Sequence, residues 1–279
     1  MIQTFVLLSF GLCISIPIFA FIYVLDPSIL TTLQLKPEYL LLSTVGETFA
    51  VTVSVFLARR FLDKQPIESL GLKINLQALF DILAGFGISF LQMGFIFILM
   101  SWLGWLTFKG FAWEFDPVGL VIKNTLLFFC MFLLVGWNEE LLSRGYHLQT
   151  IATGTNLFWG VMISSVVFGL LHLANPGANF ASTAGIFLAG MYLAYGYVRT
   201  KQLWLPMSLH LGWNFFEGVG FGFPVSGLDI YALTRIQVTG PDLWTGGVFG
   251  PEAGLIVFPS LIVGLVLIYF YTAKRKNTL

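Results

Sequence analysis

Eight apolar stretches recur along the chain, at about 4–25, 39–58, 79–106, 118–152, 157–173, 180–199, 205–221 and 253–273. Each approaches or exceeds the roughly 20 residues that cross the hydrocarbon core of a bilayer. No water reaches that core, so a spanning segment must satisfy its own backbone donors and acceptors, and a helix does so. Of the residues, 57% are hydrophobic and 10% charged, whereas a soluble domain carries about 25% charged residues. The expected fold class is an all-α polytopic membrane helix bundle of about eight transmembrane helices. It is read as a single membrane domain over residues 1–279, with its motif-bearing core at 118–221 on spans 4, 5 and 7.

The 14 basic and 14 acidic residues cancel, which gives no reason to expect a nucleic-acid partner. Their distribution is more informative. Arg59, Arg60, Lys64 and Lys73 follow the second span, Arg199 and Lys201 the sixth, and Lys274, Arg275 and Lys276 the eighth. All fall on one side of the bundle, which the positive-inside rule assigns to the cytoplasm together with both termini. The opening MIQTFVLLSF has no basic residue before its apolar core and reads as a first span rather than a cleaved signal peptide. Cys13 and Cys130 both lie in apolar spans, which argues against a disulfide framework. Segment 59–73 mixes charged and apolar residues and is expected to lie along the interface as a short helix. The Gly- and Pro-rich segment 222–252 reads as the longest loop.

Three formal charges interrupt the end of the fourth span, in WNEELLSRGYH (137–147). Facing lipid at the bilayer centre, each would cost about 2.5–3.5 kcal/mol. Glu140 and Arg144 are four apart on one helical face and can neutralise each other. Glu139 points about 100° away from that face, has no local cation, and needs a partner from another span.

Span 5 offers His172, in FGLLHLANP. The TGTN segment (153–156) reads as a tight turn, with Gly154 stopping one helix and Asn156 capping the next. Counting equally back and forward from that turn brings Glu139 level with His172, about 20 Å along each helix. A carboxylate beside an imidazole is a candidate proton-transfer pair. His210 and Asn214, four apart in HLGWN on span 7, can both donate to a developing oxyanion. Pro176 follows His172 closely, so span 5 is expected to stop partway across. The polar turn ANPGAN (174–179) would then sit at membrane depth, tolerable only inside protein or beside water. His147, Cys130, Glu47, Asp81 and Glu217 are weaker candidates. Glu217 is expected on the cavity wall, and Glu47 and Asp81 in structural hydrogen bonds.

The ordered set EELLSR, FGLLH and HLGWN resembles the EExxxR, FxxxH and HxxxN motifs of the CAAX protease and bacteriocin-processing (CPBP, or Abi) family of intramembrane proteases, which includes the Ras-converting CAAX prenyl protease. SLGL at 69–72 is also similar to the family. The resemblance implies an intramembrane endopeptidase in which Glu139 and His172 activate water, His210 and Asn214 stabilise the oxyanion, and Glu140 and Arg144 order the site. It implies a membrane-associated protein or peptide substrate, with lipidated substrates among the options, and a lipid bilayer as surroundings. As cofactor, zinc follows from the family's metalloprotease label, while metal-free water activation is the preferred reading of these residues. The rival functions are a non-catalytic membrane scaffold or bacteriocin-immunity factor of the same fold, and a transporter.

Overall fold

The structure is a computed structural model that describes residues 36–273 and Arg275. The first expected span, 4–25, and Cys13 lie outside these residues. Among the described residues it is an all-α membrane bundle. Five helices are long and apolar enough to cross a bilayer: α1 (Pro37–Leu62), α2 (Leu76–Trp102), α3 (Val118–Gly154), α4 (Leu157–Ala174) and α5 (Phe180–Thr200). Two shorter ones complete the set, α6 (Trp204–Asn214) and α7 (Val257–Thr272).

Bulky apolar side chains such as Phe49, Leu83, Phe90, Ile98, Leu126, Ile163 and Ile262 are exposed on the outside, while Ser54, Asp81, Ser89, Gln92 and Glu140 are buried inside. That inversion of the soluble pattern is what a lipid surround demands. Ten of the 11 residues of α6, all but Trp204, are buried, so α6 is the central post against which α2, α3 and α5 pack. Small residues allow the close approach. Gly85 and Gly212 lie where a Cβ would press on Ser208 and Ser89 of the facing helix. Ser89 Oγ donates to the Leu209 carbonyl at 2.7 Å, and Ser208 Oγ to that of Ile82.

Local signals behave as their chemistry requires. Asn156 caps α4 by accepting from the Trp159 amide, and Asn179 caps α5 by accepting from that of Ser182. Three helices carry π-helical stretches: α1 at Ala58–Leu62, α3 at Leu141–Leu148 and the continuation of α6 at Phe215–Gly220. Such stretches are rare and collect at functional sites.

Several expectations need correcting. The third span ends at Trp102, and the chain then forms β1 (Leu106–Phe111). β1 pairs antiparallel with β2 (Thr234–Val238), with an irregularity between Phe108 and Gly110. The alternating side chains of LTFKGF were hidden at the end of an apolar run, and the partner strand is more than a hundred residues away. Segment 59–73 is a π turn, Ala58–Leu62, followed by a 3-10 turn, Ile67–Leu70. It is tied inward rather than laid along the interface: Arg59 donates to Ser69 and Gln149, and the Gly71 carbonyl accepts from the Leu203 amide at 2.8 Å. The loop 222–252 is folded over the end of the bundle opposite these basic turns.

Candidate active site

α3, α4 and α6 bring the motif residues to one cavity of about 430 Å³. On α3, Glu140 and Arg144 are both fully buried, and Arg144 Nη1 donates to Glu140 Oε1 at 2.8 Å. Arg144 Nη2 donates to the Gly190 carbonyl at 2.7 Å, and the guanidinium lies 4.4 Å from the centre of the Phe168 ring. The FxxxH spacing gains a reason here. Phe168 is a wall touching His172 at 4.8 Å and His210 at 5.9 Å between ring centres, so one aromatic face sets two imidazoles and a cation.

Among the described residues Glu139 forms no salt bridge with a Lys or Arg. Its Oε2 is buried, lies 3.6 Å from His172 Nε2 and 3.8 Å from His210 Nε2, and accepts no hydrogen bond. Glu139, His172, His210 and Asn214 all line the cavity. The amide of Asn214 hydrogen-bonds to no described residue, which leaves it available to an occupant. α4 gives way at His172–Ala174 to a single 3-10 turn, and the polar turn 174–179 lies against the 222–252 loop, where Asn175 Nδ2 donates to the Ser226 carbonyl at 3.1 Å.

The hydrogen bonds fix the histidine tautomers. His172 Nδ1 is 2.8 Å from the Phe168 carbonyl, which can only accept, so Nδ1 carries the proton and Nε2 turns a lone pair toward Glu139. His210 Nδ1 is 2.9 Å from Glu140 Oε1, an ionised carboxylate, so it too is a donor. His210 can then donate from Nε2 only as an imidazolium.

Glu139, His172 and His210 are the donor types that zinc takes, but among the described residues no group of three or more His, Cys, Asp and Glu side chains is arranged to hold a metal ion.

Other candidates fall elsewhere. Glu217 is fully buried, its carboxylate oxygens hydrogen-bond to no described residue, and it does not line the cavity; it lies in the π turn, whose spacing departs from that of an α-helix. Glu47 makes no hydrogen bond among the described residues and lines the cavity instead. Asp81 is structural, accepting from Tyr271 at 2.6 Å and from Arg275. His147 lies outside the cavity lining, and Cys130 is exposed on the outer face.

Four cavity residues escaped the sequence reading: Asn138, Asn175, Ser226 and Glu252. Asn138 is 2% exposed, and neither its amide nitrogen nor its oxygen has a partner among the described residues. Glu252 is 5% exposed. Its Oε2 accepts from the Ser226 amide at 2.9 Å and from Ser226 Oγ at 2.6 Å, and its Oε1 hydrogen-bonds to no described residue. An acid in GPEAG, ahead of an apolar run and without a local cation, was the available signal.

Residues 121–216 match the model of the "Type II CAAX prenyl endopeptidase Rce1-like" family. The match begins in α3 and runs to the end of HLGWN, so it falls on the helices that build this site. The chain is 33% identical over 78 residues to a Bacillus subtilis protein named "Putative membrane peptidase YdiL", covering 28% of this chain and 30% of that protein. It is also 23% identical over 180 residues to an Escherichia coli protein named "D-galactonate transporter", covering 61% of this chain and 38% of that protein. The aligned segments thus span about a third of either relative's length. The family likeness supports a protease of the multi-pass membrane class.

Proposed function

We propose that the chain is an intramembrane endopeptidase, CAAX-protease-like in its chemistry, that hydrolyses a peptide bond of a membrane-associated protein or peptide. One observation carries the reading: a carboxylate without a Lys or Arg partner, Glu139, stands at 3.6 and 3.8 Å from two imidazole nitrogens in a cavity within an apolar bundle. Structure alone does not call for a charge there.

A water held between Glu139 and His172 Nε2 attacks the carbonyl carbon. Glu139 accepts its proton as the C–O bond forms. The oxyanion is met by the Asn214 amide and by the Nε2–H of protonated His210, which Glu140 holds through Nδ1. Collapse of the intermediate breaks the C–N bond. The proton returns to the leaving amine through Glu139 and His172, giving a carboxylic acid and an amine. Arg144 keeps Glu140 ionised and placed. The cluster of Arg59, Arg60, Lys64, Lys73, Arg199 and Lys201 at one end of the bundle supports cytoplasmic termini.

The test compares membrane proteins by mass spectrometry from cells carrying the wild type, no copy, or Glu139→Gln. A fragment that appears only with the wild type is expected. A carrier reading, favoured by the likeness to the transporter, requires solute flux into liposomes without any cut peptide. A scaffold or immunity role requires that function survive Glu139→Gln.

A further inference from the structure

The cavity's charges are one-sided. Its lining includes Glu47, Glu139 and Glu252, and among the described residues no Lys or Arg. Residues 1–35 contain no Lys or Arg either. Glu139 faces the two imidazoles, and among the described residues neither Glu47 nor Glu252 forms a salt bridge with a Lys or Arg. Glu252 is the more telling. One oxygen is latched to Ser226 and the other opens on the cavity, in a side chain that is 95% withdrawn from solvent because only 5% is exposed. The Asn138 amide, with both polar atoms buried and unpartnered, lines the same space. Latching Ser226 requires only an acceptor, which a Gln carbonyl would supply. A charge on Glu252 is therefore not required by the fold, and it is costly there unless a cation joins it.

We infer that Glu252, with Glu47 of α1 on the same cavity lining, binds a cationic group of the substrate, a Lys or Arg side chain close to the scissile bond. The same lining disfavours a substrate whose free C-terminal carboxylate must enter the cavity. This specificity rests on the peptidase reading only in calling the bound peptide a substrate, since the binding preference is a property of the cavity itself. A full charge pair at the low effective dielectric of such a site is expected to favour the cation by about tenfold or more over a neutral residue.

The experiment uses the full chain in detergent and three acetylated, amidated apolar peptides, identical except for one central Lys, Gln or Glu. Binding is measured to Glu139→Gln, which does not cleave, and to Glu139→Gln carrying Glu252→Gln or Glu47→Gln. The Lys peptide is expected to bind about tenfold more tightly than the Gln peptide and the Glu peptide most weakly, with the Lys-to-Gln ratio falling toward one in the Glu252→Gln variant. Melting temperatures identify a variant that has not folded, and Glu47→Gln then supplies the second reading of the ratio. Equal binding of all three peptides, or an unchanged ratio in both folded variants, overturns the inference. Charge-selective binding by a wild type that cuts no peptide keeps the cation site and sinks the peptidase. Glu139-dependent cutting with no preference for Lys does the reverse.

Discussion

Replacing Glu140 by Gln tests the most tightly built part of the site. Glu140 Oε1 receives both Arg144 Nη1, at 2.8 Å, and His210 Nδ1, at 2.9 Å, in a place where neither Glu140 nor Arg144 has any exposed surface. Gln keeps an acceptor oxygen at that position but removes the charge. With charge centres about 4 Å apart and an effective dielectric near 20, the lost attraction is about 4 kcal/mol. That lies within the 3–5 kcal/mol typical of breaking one side of a buried pair. For a domain of 150–250 residues such a loss lowers Tm by about 10 °C. The remaining Arg144 contacts, to the Gly190 carbonyl and the Phe168 ring, do not supply a counter-charge. Adding Arg144→Gln removes the stranded cation, so the double variant is expected to recover about half of the lost Tm. It is not expected to recover cleavage, because His210 still lacks a carboxylate at Nδ1. The assay is melting in detergent together with cleavage on all three proteins. If Glu140→Gln melts within about 2 °C of wild type, a difference worth under about 1 kcal/mol, the Glu140–Arg144 pair does not hold the fold. A double variant that cuts at the wild-type rate would remove Glu140 from the ordering of His210.

Glu139→Gln should fold and bind peptide yet lose cleavage by at least about 100-fold, the lower range for general-base loss; wild-type turnover ends the base assignment. Asn214 has no partner to forfeit, so Asn214→Ala is expected to melt close to wild type while its rate falls about 100- to 1,000-fold; a large loss of Tm would return Asn214 to packing. His210→Ala should lower both Tm and rate, since it strips one donor from Glu140 as well as one from the oxyanion. A Cβ on Gly185 would collide with the Glu252 carbonyl, so Gly185→Ala should push the 251–253 turn off α5 and reduce activity and Tm together, read by the same two assays.

The helices and the three motifs could be read from the chain because each is a local pattern. A run of apolar residues writes its own span, and residues four apart share a face whatever surrounds them. Glu139 stood out for want of a local cation, and the turn at 153–156 gave its height against His172. What sequence alone could not supply depends on distant partners. β1 needs β2 to be a strand. Glu252 becomes a cavity residue only because the 222–252 loop turns back over the bundle and Gly185 leaves room for it. Asn138 was overshadowed by the charges beside it, although its buried amide is as conspicuous in space as they are in sequence. Glu217 failed in the other direction, since the π turn at Phe215–Gly220 breaks the α-helical spacing that had placed it on the cavity wall.

The meeting of the polar turn 174–179 with the 222–252 loop has an electrical consequence. A bundle that keeps a polar cavity within an apolar shell shortens the insulating path across the bilayer, and whatever stops ions must sit beyond the cavity floor. At that floor Gly227 has φ +86, and a Cβ there would strike the Pro176 carbonyl oxygen. Its amide is tied at 2.8 Å to the carbonyl of Phe249. Two peptide backbones in van der Waals contact leave no file for a hydrated ion. Gly227→Val would wedge them apart, and the change would register as conductance in a planar bilayer whether or not any peptide is ever cut.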